Sequence, residues 1–176
     1  MSRAAYNLPV PAPVPEFLAP RIKGIRETLR AGRREEALGA ARNLSHELAE
    51  SHGPLHVYAL HAVELVAFCA QLAEHPIMAT EVSVYAAAGW QQVLGCKHHH
   101  VRRQTRNAGA SWLTVTTASE AARTGTALLA LLESVYGPTH PFTQFVERQL
   151  NAITGTDQKA AASALQPSGP ALLITA

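Results

Sequence analysis

The sequence predicts an all-α fold, an α-solenoid of about three and a half stacked antiparallel helix pairs. Three observations point to it. The chain is rich in alanine and leucine and only 6% aromatic, which favours helices over strands. The interval from Gly53 to Gly95 recurs along it, and its clearest apolar stretch has helical spacing. With 176 residues, the chain has the usual length of one domain and can bury a continuous core.

The chain divides into a proline-rich start, a helical body and a short tail. Residues 1–15 include the run LPVPAPVP, which favours an extended lead-in because proline fixes φ and has no backbone N–H. Residues 16–165 form the predicted repeat domain. Residues 166–176 contain two prolines and a glycine and predict a flexible or docked tail.

A glycine, followed three residues later by a histidine, recurs at one fixed interval. The three pairs are Gly53 and His56, Gly95 and His98, and Gly137 and His140. One alanine column and one column of bulky apolar residues keep the same interval: Ala37, Ala79 and Ala121, and Leu48, Trp90 and Leu132. Each glycine is expected to end a helix because it tolerates positive φ. Each histidine is then expected to serve the turn between two helices.

Glycine and proline positions predict where seven helices begin and end. The first follows Pro15, and the second lies between Gly32 and Gly53. The third begins behind Gly53, the fourth ends before Gly95 and the fifth follows that glycine. The sixth ends before Gly137, and the seventh follows it. The predicted ranges are 16–30, 33–51, 55–72, 76–94, 98–112, 117–135 and 140–153.

The sixth predicted helix has the clearest amphipathic pattern, and a weak eighth helix follows the seventh. The apolar stripe of the sixth consists of Leu128, Leu129, Leu131, Leu132 and Val135. Such a stripe needs a neighbour to cover it, so consecutive pairs are expected to stack. The eighth helix is predicted at residues 157–165 with Asp157 as its N-cap.

Two segments resemble the tetratricopeptide repeat, specifically the 42-residue type found in kinesin light chains and many bacterial proteins. GRREEA at residues 32–37 is similar to the start of the second helix of that repeat, and GPTHP at residues 137–141 is similar to the glycine-to-proline entry. The middle unit departs from the pattern, with Cys96 and His99 in place of proline. The resemblance covers about residues 15–153 and implies a protein-interaction module or adaptor rather than an enzyme.

The resemblance also implies a concave groove lined by the first helix of each pair, in which a peptide lies. Positions 8, 11, 12 and 15 residues after the recurring glycine share one helical face. Asn107 matches the family asparagine that holds the peptide backbone, and planar guanidinium groups beside it suit carboxylates. An acidic peptide or partner protein is therefore the expected ligand. The predicted peptide-binding set is Lys23, Arg26, His61, Phe68, Arg103, Arg106, Asn107 and Arg148.

Two other interpretations of the arginines stay open. Residues 82–119 contain no acid, whereas residues 97–106 are basic, so a nucleic-acid-binding helical protein is the alternative function. The sequence has no helix-turn-helix, zinc or RNA-recognition signature in support of it. The arginines would otherwise form an ordinary solvated helix face.

No metal site, cofactor or catalytic group is expected from local spacing. His52 and His56 are separated by Gly53-Pro54, which breaks the helix, and the side chains of His98, His99 and His100 point about 100° apart. Adjacent pairs such as Ser51 and His52 diverge on a helix. Cys69 stands in an apolar run, where burial would keep the thiol inert.

A cytoplasmic location without membrane contact is expected, and the oligomeric state is open. No apolar run approaches the roughly 20 residues that cross a bilayer, and the amino terminus lacks a secretory pattern. Two distant cysteines suit a reducing compartment. A homodimer through an uncapped end of the solenoid is a further expectation left undecided.

Overall fold

The computed structural model describes residues 15–164, with side chains to residue 155, and over that range it contains seven helices and no strand. The all-α prediction is confirmed for this part of the chain. The predicted tail and nearly all of the predicted lead-in lie outside the described residues. The helices are α1 (Ala19–Arg30), α2 (Arg34–His52), α3 (Val57–Leu72), α4 (Pro76–Leu94), α5 (His99–Trp112), α6 (Ala118–Tyr136) and α7 (Pro141–Ala164).

The first six helices match the predicted ranges to within a few residues, but the seventh does not. Helix α7 continues to Ala164, so the prediction of a separate eighth helix at residues 157–165 is wrong. Gly155 lies inside α7 and does not end it. A glycine in a helix costs only about 1 kcal/mol relative to alanine, which is too little to break an otherwise helical segment. Asp157 therefore lies within the helix and is not its N-cap.

Helices α2, α4 and α6 each end at the recurring glycine, as predicted. Gly53, Gly95 and Gly137 have φ values of 93°, 79° and 89°, with ψ between 151° and 163°. This combination of angles is essentially restricted to glycine. The residue type therefore determines where each of these helices stops.

A change of Gly137 to alanine is expected to lower the free energy of unfolding by about 1–3 kcal/mol, the usual cost of a strained backbone conformation. Gly24→Ala is the control, because Gly24 lies within α1 and nothing approaches within 4 Å of an added Cβ there. This control should raise stability by about 0.5–1 kcal/mol. Urea unfolding followed by circular dichroism measures both changes. Equal effects of the two variants would contradict the positive φ of Gly137 as the feature that requires glycine there.

The recurring histidines cap the helices that follow the glycines, which confirms their predicted role in the turns. The Nδ1 atoms of His56, His98 and His140 each accept a hydrogen bond of 3.2 Å from the backbone N–H two residues later. A capping acceptor satisfies one of the unpaired N–H groups at a helix start. Partial desolvation, followed by the neighbouring His99 and His100, lowers the pKa of His98 and favours this acceptor state.

The two repeating columns of apolar residues lie in the core. Each helix packs against the next one along the chain, and α4 also packs against α6. All six column residues are at most 5% exposed. The recurring interval in the sequence is therefore an interval of buried positions. None of the helices described is long and apolar enough to cross a membrane.

Candidate functional site

A buried carboxylate, Glu64, lies where α3, α4 and α5 meet. Trp90 Nε1 and His100 Nε2 each donate a hydrogen bond of 2.6 Å to its Oε1 atom. His61 Nδ1 lies 3.4 Å from its Oε2 atom. A carboxylate that is only 7% exposed needs such partners, because an unpaired buried charge is very costly. We call Glu64, His61, Trp90, His100 and Arg103 the Glu64 cluster.

Each member of the Glu64 cluster is positioned by its helix. His61 and Glu64 are three residues apart on α3, and such residues share a helical face. Trp90 is the residue that α4 contributes to the buried column of bulky apolar residues. Its ring meets those of His61 and His100 edge-on, with centroids 4.9 and 4.5 Å away. His100 is in the first turn of α5, immediately behind the cap formed by His98. The indole therefore packs between the two imidazoles and the core.

A hydrogen bond from Arg103 determines the proton positions on His100. Arg103 Nη2 lies 2.9 Å from His100 Nδ1. Because a guanidinium group only donates hydrogen bonds, His100 Nδ1 must accept, and its single proton is on Nε2, facing Glu64. His100 is therefore a neutral link between a guanidinium and a carboxylate. The Nε atom of Arg103 is buried and has no hydrogen-bond partner.

The hydrogen bonds in the cluster keep Glu64 ionised. Burial is the largest single influence and raises the pKa of the Glu64 carboxyl. The hydrogen bonds from His100 and His61, with their electrostatic attraction, together outweigh it, so the pKa lies below the usual range. The cluster consequently presents a charged carboxylate between two imidazoles.

The structure brings His61 and Arg103 of the predicted peptide-binding set together but separates Arg103 from Arg106. Arg106 is exposed and lies within electrostatic reach of Tyr136 on α6. Arg102 also lies near Tyr136, with its guanidinium 5.9 Å from the ring centroid. Burial raises the pKa of Tyr136, and the two arginines partly oppose this shift. The predicted site residues Arg103 and Arg106 therefore lie in different environments.

The other predicted peptide-binding residues differ in exposure and partners. Lys23, Arg26 and Arg148 are exposed, and Lys23 lies 3.8 Å from the carboxylate of Glu27. The Asn107 amide donates one of its two N–H groups to the Gln104 side chain at 3.3 Å, within its own helix. Phe68 is partly buried.

Exposed cations differ in whether an acid lies beside them, on the predicted face as well as on the even-numbered helices. On α2, α4 and α6 the pairs include Arg34 with Glu74 at 2.9 Å and Arg123 with both Glu81 and Glu120, at 2.5 and 2.6 Å. In the described part of the chain, no acid lies within ion-pair distance of the exposed arginines of the predicted face. These are Arg26, Arg106 and Arg148.

Its spacing from Gly53 places Glu64 on the predicted face, but the predicted peptide-binding set contains neither Glu64 nor Trp90 nor His100. Glu64 is the single acid of the otherwise apolar helix α3, and that is the signal that could have identified it. An acid in such a helix is buried only with partners. The sequence neighbours of His100 do not indicate its role, because its partner Glu64 is 36 residues away.

The predicted helix break between His52 and His56 is confirmed, and the chain folds back there so that their ring centroids are 4.9 Å apart. The expectation that Ser51 and His52 diverge is wrong. Ser51 Oγ reaches His52 Nδ1, at 2.7 Å. The same hydroxyl donates its only proton to the Glu47 carbonyl at 2.6 Å. His52 must then donate to Ser51, which is the opposite of the arrangement that activates a serine nucleophile.

The two cysteines are free thiols. Burial raises the pKa of Cys69 to about 11, so the reactive thiolate is scarce near neutral pH. This agrees with the expectation of an inert thiol at that position.

An open depression of about 500 Å³ lies between α2 and α4, over one face of α3. Its lining includes Arg42, His46, Glu81 and Tyr85, and none of the predicted peptide-binding residues. The α3 residues that line it are Ala59, Val63 and Val66, and no member of the Glu64 cluster is among its lining residues, so the depression is separate from that cluster.

No protein-family model matches the chain, and no curated protein matches it either. The resemblance to tetratricopeptide repeats therefore rests on the sequence motifs alone.

Proposed function

We propose that the chain is a tetratricopeptide-like helical repeat module that binds an acidic peptide or partner protein. The binding surface is the face of the odd-numbered helices that carries the exposed arginines Arg26, Arg106 and Arg148, which we call the cationic face. The glycine ends and histidine caps that return at a fixed interval support a stacked-repeat architecture.

The observation that carries the proposal is a pair of equivalent, exposed arginines without an acidic partner. Arg106 follows Gly95 by 11 residues, and Arg148 follows Gly137 by the same number. Both are exposed, and no carboxylate of the described residues lies within ion-pair distance. Other exposed arginines, including Arg21, Arg34 and Arg123, have acids beside them. Guanidinium groups repeated at one position of successive units can hold successive carboxylates of an extended acidic ligand.

The variant Arg106→Glu/Arg148→Glu is expected to weaken binding of an acidic peptide at least about tenfold, or two exposed charge contacts of about 0.7 kcal/mol each. An array of aspartate- and glutamate-rich peptides selects the probe. Fluorescence anisotropy of the labelled peptide then measures the dissociation constant over a salt series, and affinity should fall as salt rises.

The control is Arg34→Glu/Arg42→Glu on α2, which makes the same change in net charge on another helix. It should retain peptide binding, and circular dichroism should show intact helices in both variants. Equal loss in both variants would contradict a localised cationic face. Salt-sensitive binding of a labelled single-stranded oligonucleotide, lost in Arg106→Glu/Arg148→Glu and unaccompanied by binding of any acidic peptide, would replace this proposal with the nucleic-acid alternative.

A further inference from the structure

Three atoms able to ligate a metal converge in the Glu64 cluster. They are His61 Nδ1, a carboxylate oxygen of Glu64 and His100 Nε2, and all lie within 4.8 Å of one another. Two come from α3 and the third from α5, so the folded arrangement of helices, not a local motif, brings them together. The side chain of His61 is 33% exposed, which provides access from solvent, whereas those of Glu64 and His100 are 4% and 12% exposed.

We propose that His61, Glu64 and His100 bind a divalent transition-metal ion, with zinc as the ion that best suits the ligands. This inference goes beyond peptide binding and does not depend on it. Two imidazole nitrogens and one carboxylate oxygen form a ligand set that proteins use for zinc, and they leave a fourth position for water or another ligand. Carboxylates and carbonyls alone would instead suit magnesium or calcium.

One of the distances is close to that of a tetrahedral site. Zinc–ligand bonds of about 2.0–2.1 Å place two ligand atoms about 3.3 Å apart. His61 Nδ1 lies 3.4 Å from Glu64 Oε2, close to this value, whereas His100 Nε2 lies 2.6 Å from the other oxygen, Oε1. The site must therefore open slightly at His100. Rotation of the partly exposed His61 ring can bring its nitrogen towards the ion.

Trp90 already orients the carboxylate as an outer-shell partner would. Its indole N–H holds Oε1, and Oε2 is directed towards His61 and can ligate the ion. The ion would take the place of the protons that His100 Nε2 and His61 Nδ1 now direct at Glu64. Each ring stays neutral because it changes tautomer: the proton on the ligating nitrogen is lost to solvent, and the other ring nitrogen (Nδ1 of His100, Nε2 of His61) gains one.

Arg103 opposes binding of the ion, so the proposal predicts that removing its charge increases the affinity for zinc. Once His100 carries its proton on Nδ1, that atom can no longer accept the hydrogen bond from Arg103. The guanidinium must turn away, and its positive charge also repels a dication. A glutamine at this position has no charge and offers a carbonyl oxygen that can accept from Nδ1, as outer-shell partners of metal-bound histidines do. Arg103→Gln is therefore expected to tighten zinc binding severalfold.

The experiment uses the full chain, stripped with EDTA and then dialysed free of it. Calorimetric titration with zinc should show one ion per chain, and cobalt should give visible absorption bands typical of low coordination number. His61→Ala and His100→Ala should each weaken binding at least about tenfold, since even outer-shell changes cost about 10–100-fold. His61 is partly exposed, so its removal should leave the helices intact.

The matched controls are His52→Ala and His99→Ala, because each removes one histidine of a pair with rings in contact elsewhere on the surface. The ring centroids are 4.9 Å apart for His52 and His56, and 4.4 Å apart for His98 and His99. Both controls should bind zinc as the unmodified chain does. Absence of zinc binding, its loss in a control but not in His61→Ala, or weaker binding in Arg103→Gln would each overturn the proposal.

Discussion

Replacing Glu64 with leucine is expected to lower the free energy of unfolding by about 2–6 kcal/mol, because a buried donor and a largely buried one each lose an acceptor. The donors are the Trp90 indole N–H and the His100 Nε2–H. Each unsatisfied buried donor costs about 1–3 kcal/mol. Leucine fills most of the volume of glutamate, so the loss comes from hydrogen bonding and not from a cavity. The three helices that the carboxylate joins would lose their shared polar contact at the same time.

Urea unfolding in the presence of EDTA measures this effect, because a bound metal would otherwise add to the stability of the folded state. The control is Glu50→Leu, at an exposed position on α2 where the change should stay within about 0.5 kcal/mol. Glu64→Gln should lie between the two, since its amide oxygen can still accept from Trp90. A Glu64→Leu variant as stable as Glu50→Leu would show that the buried hydrogen bonds do not hold α3, α4 and α5 together.

A double-mutant cycle isolates the contact between Glu64 and Trp90. Trp90→Phe removes the indole N–H but keeps an aromatic ring in the core. In a Glu64→Leu background this change should cost less than it does alone, because its hydrogen-bond partner is already gone. Contacting residues show such interaction energies, typically about 0.5–3 kcal/mol.

The helix pattern could be predicted from the sequence because its signals are local. Gly53, Gly95 and Gly137 end helices through their own backbone conformation, and each histidine caps a helix two residues away. The burial of the alanine column and of the bulky apolar column could also be predicted, because both recur at the repeat interval. The continuation of α7 could not be predicted in this way, because Gly155 weakens a helix without having to end it.

The Glu64 cluster could be predicted only in part, because its contacts join separate helices. The position of Glu64 on the predicted face followed from its spacing from Gly53. Its pairing with His100 depends on how α3 and α5 are rotated relative to each other, which no local pattern determines. Arg103 and Arg106 illustrate the same point. Their spacing places them on one helical face, yet Arg103 turns to His100 while Arg106 lies near Tyr136.

Gly125→Val is expected to lower the free energy of unfolding by about 2–6 kcal/mol, through overpacking where α5, α6 and α7 meet and through loss of a buried hydrogen bond between α5 and α6. A Cβ atom at Gly125 would lie 2.6 Å from Leu150 Cδ2 and 2.8 Å from Trp112 Nε1, closer than real contacts allow. Leu150 can change rotamer, but the buried Trp112 ring is held by a hydrogen bond from its N–H to the Ala121 carbonyl. Forced repacking costs about 1–3 kcal/mol, and an unmade buried hydrogen bond adds about 1–3 kcal/mol.

Gly39→Val separates this steric effect from the helix propensity of valine. Gly39 is an exposed residue within α2, and nothing lies within 4 Å of a Cβ atom added there. Since valine is a slightly better helix former than glycine, this control should be neutral or slightly more stable. Thermal and urea unfolding of both variants give the comparison. If Gly125→Val were as stable as Gly39→Val, the close approach of Trp112 and Leu150 to α6 would be wrong, and with it the packing that supports the last helices of the cationic face.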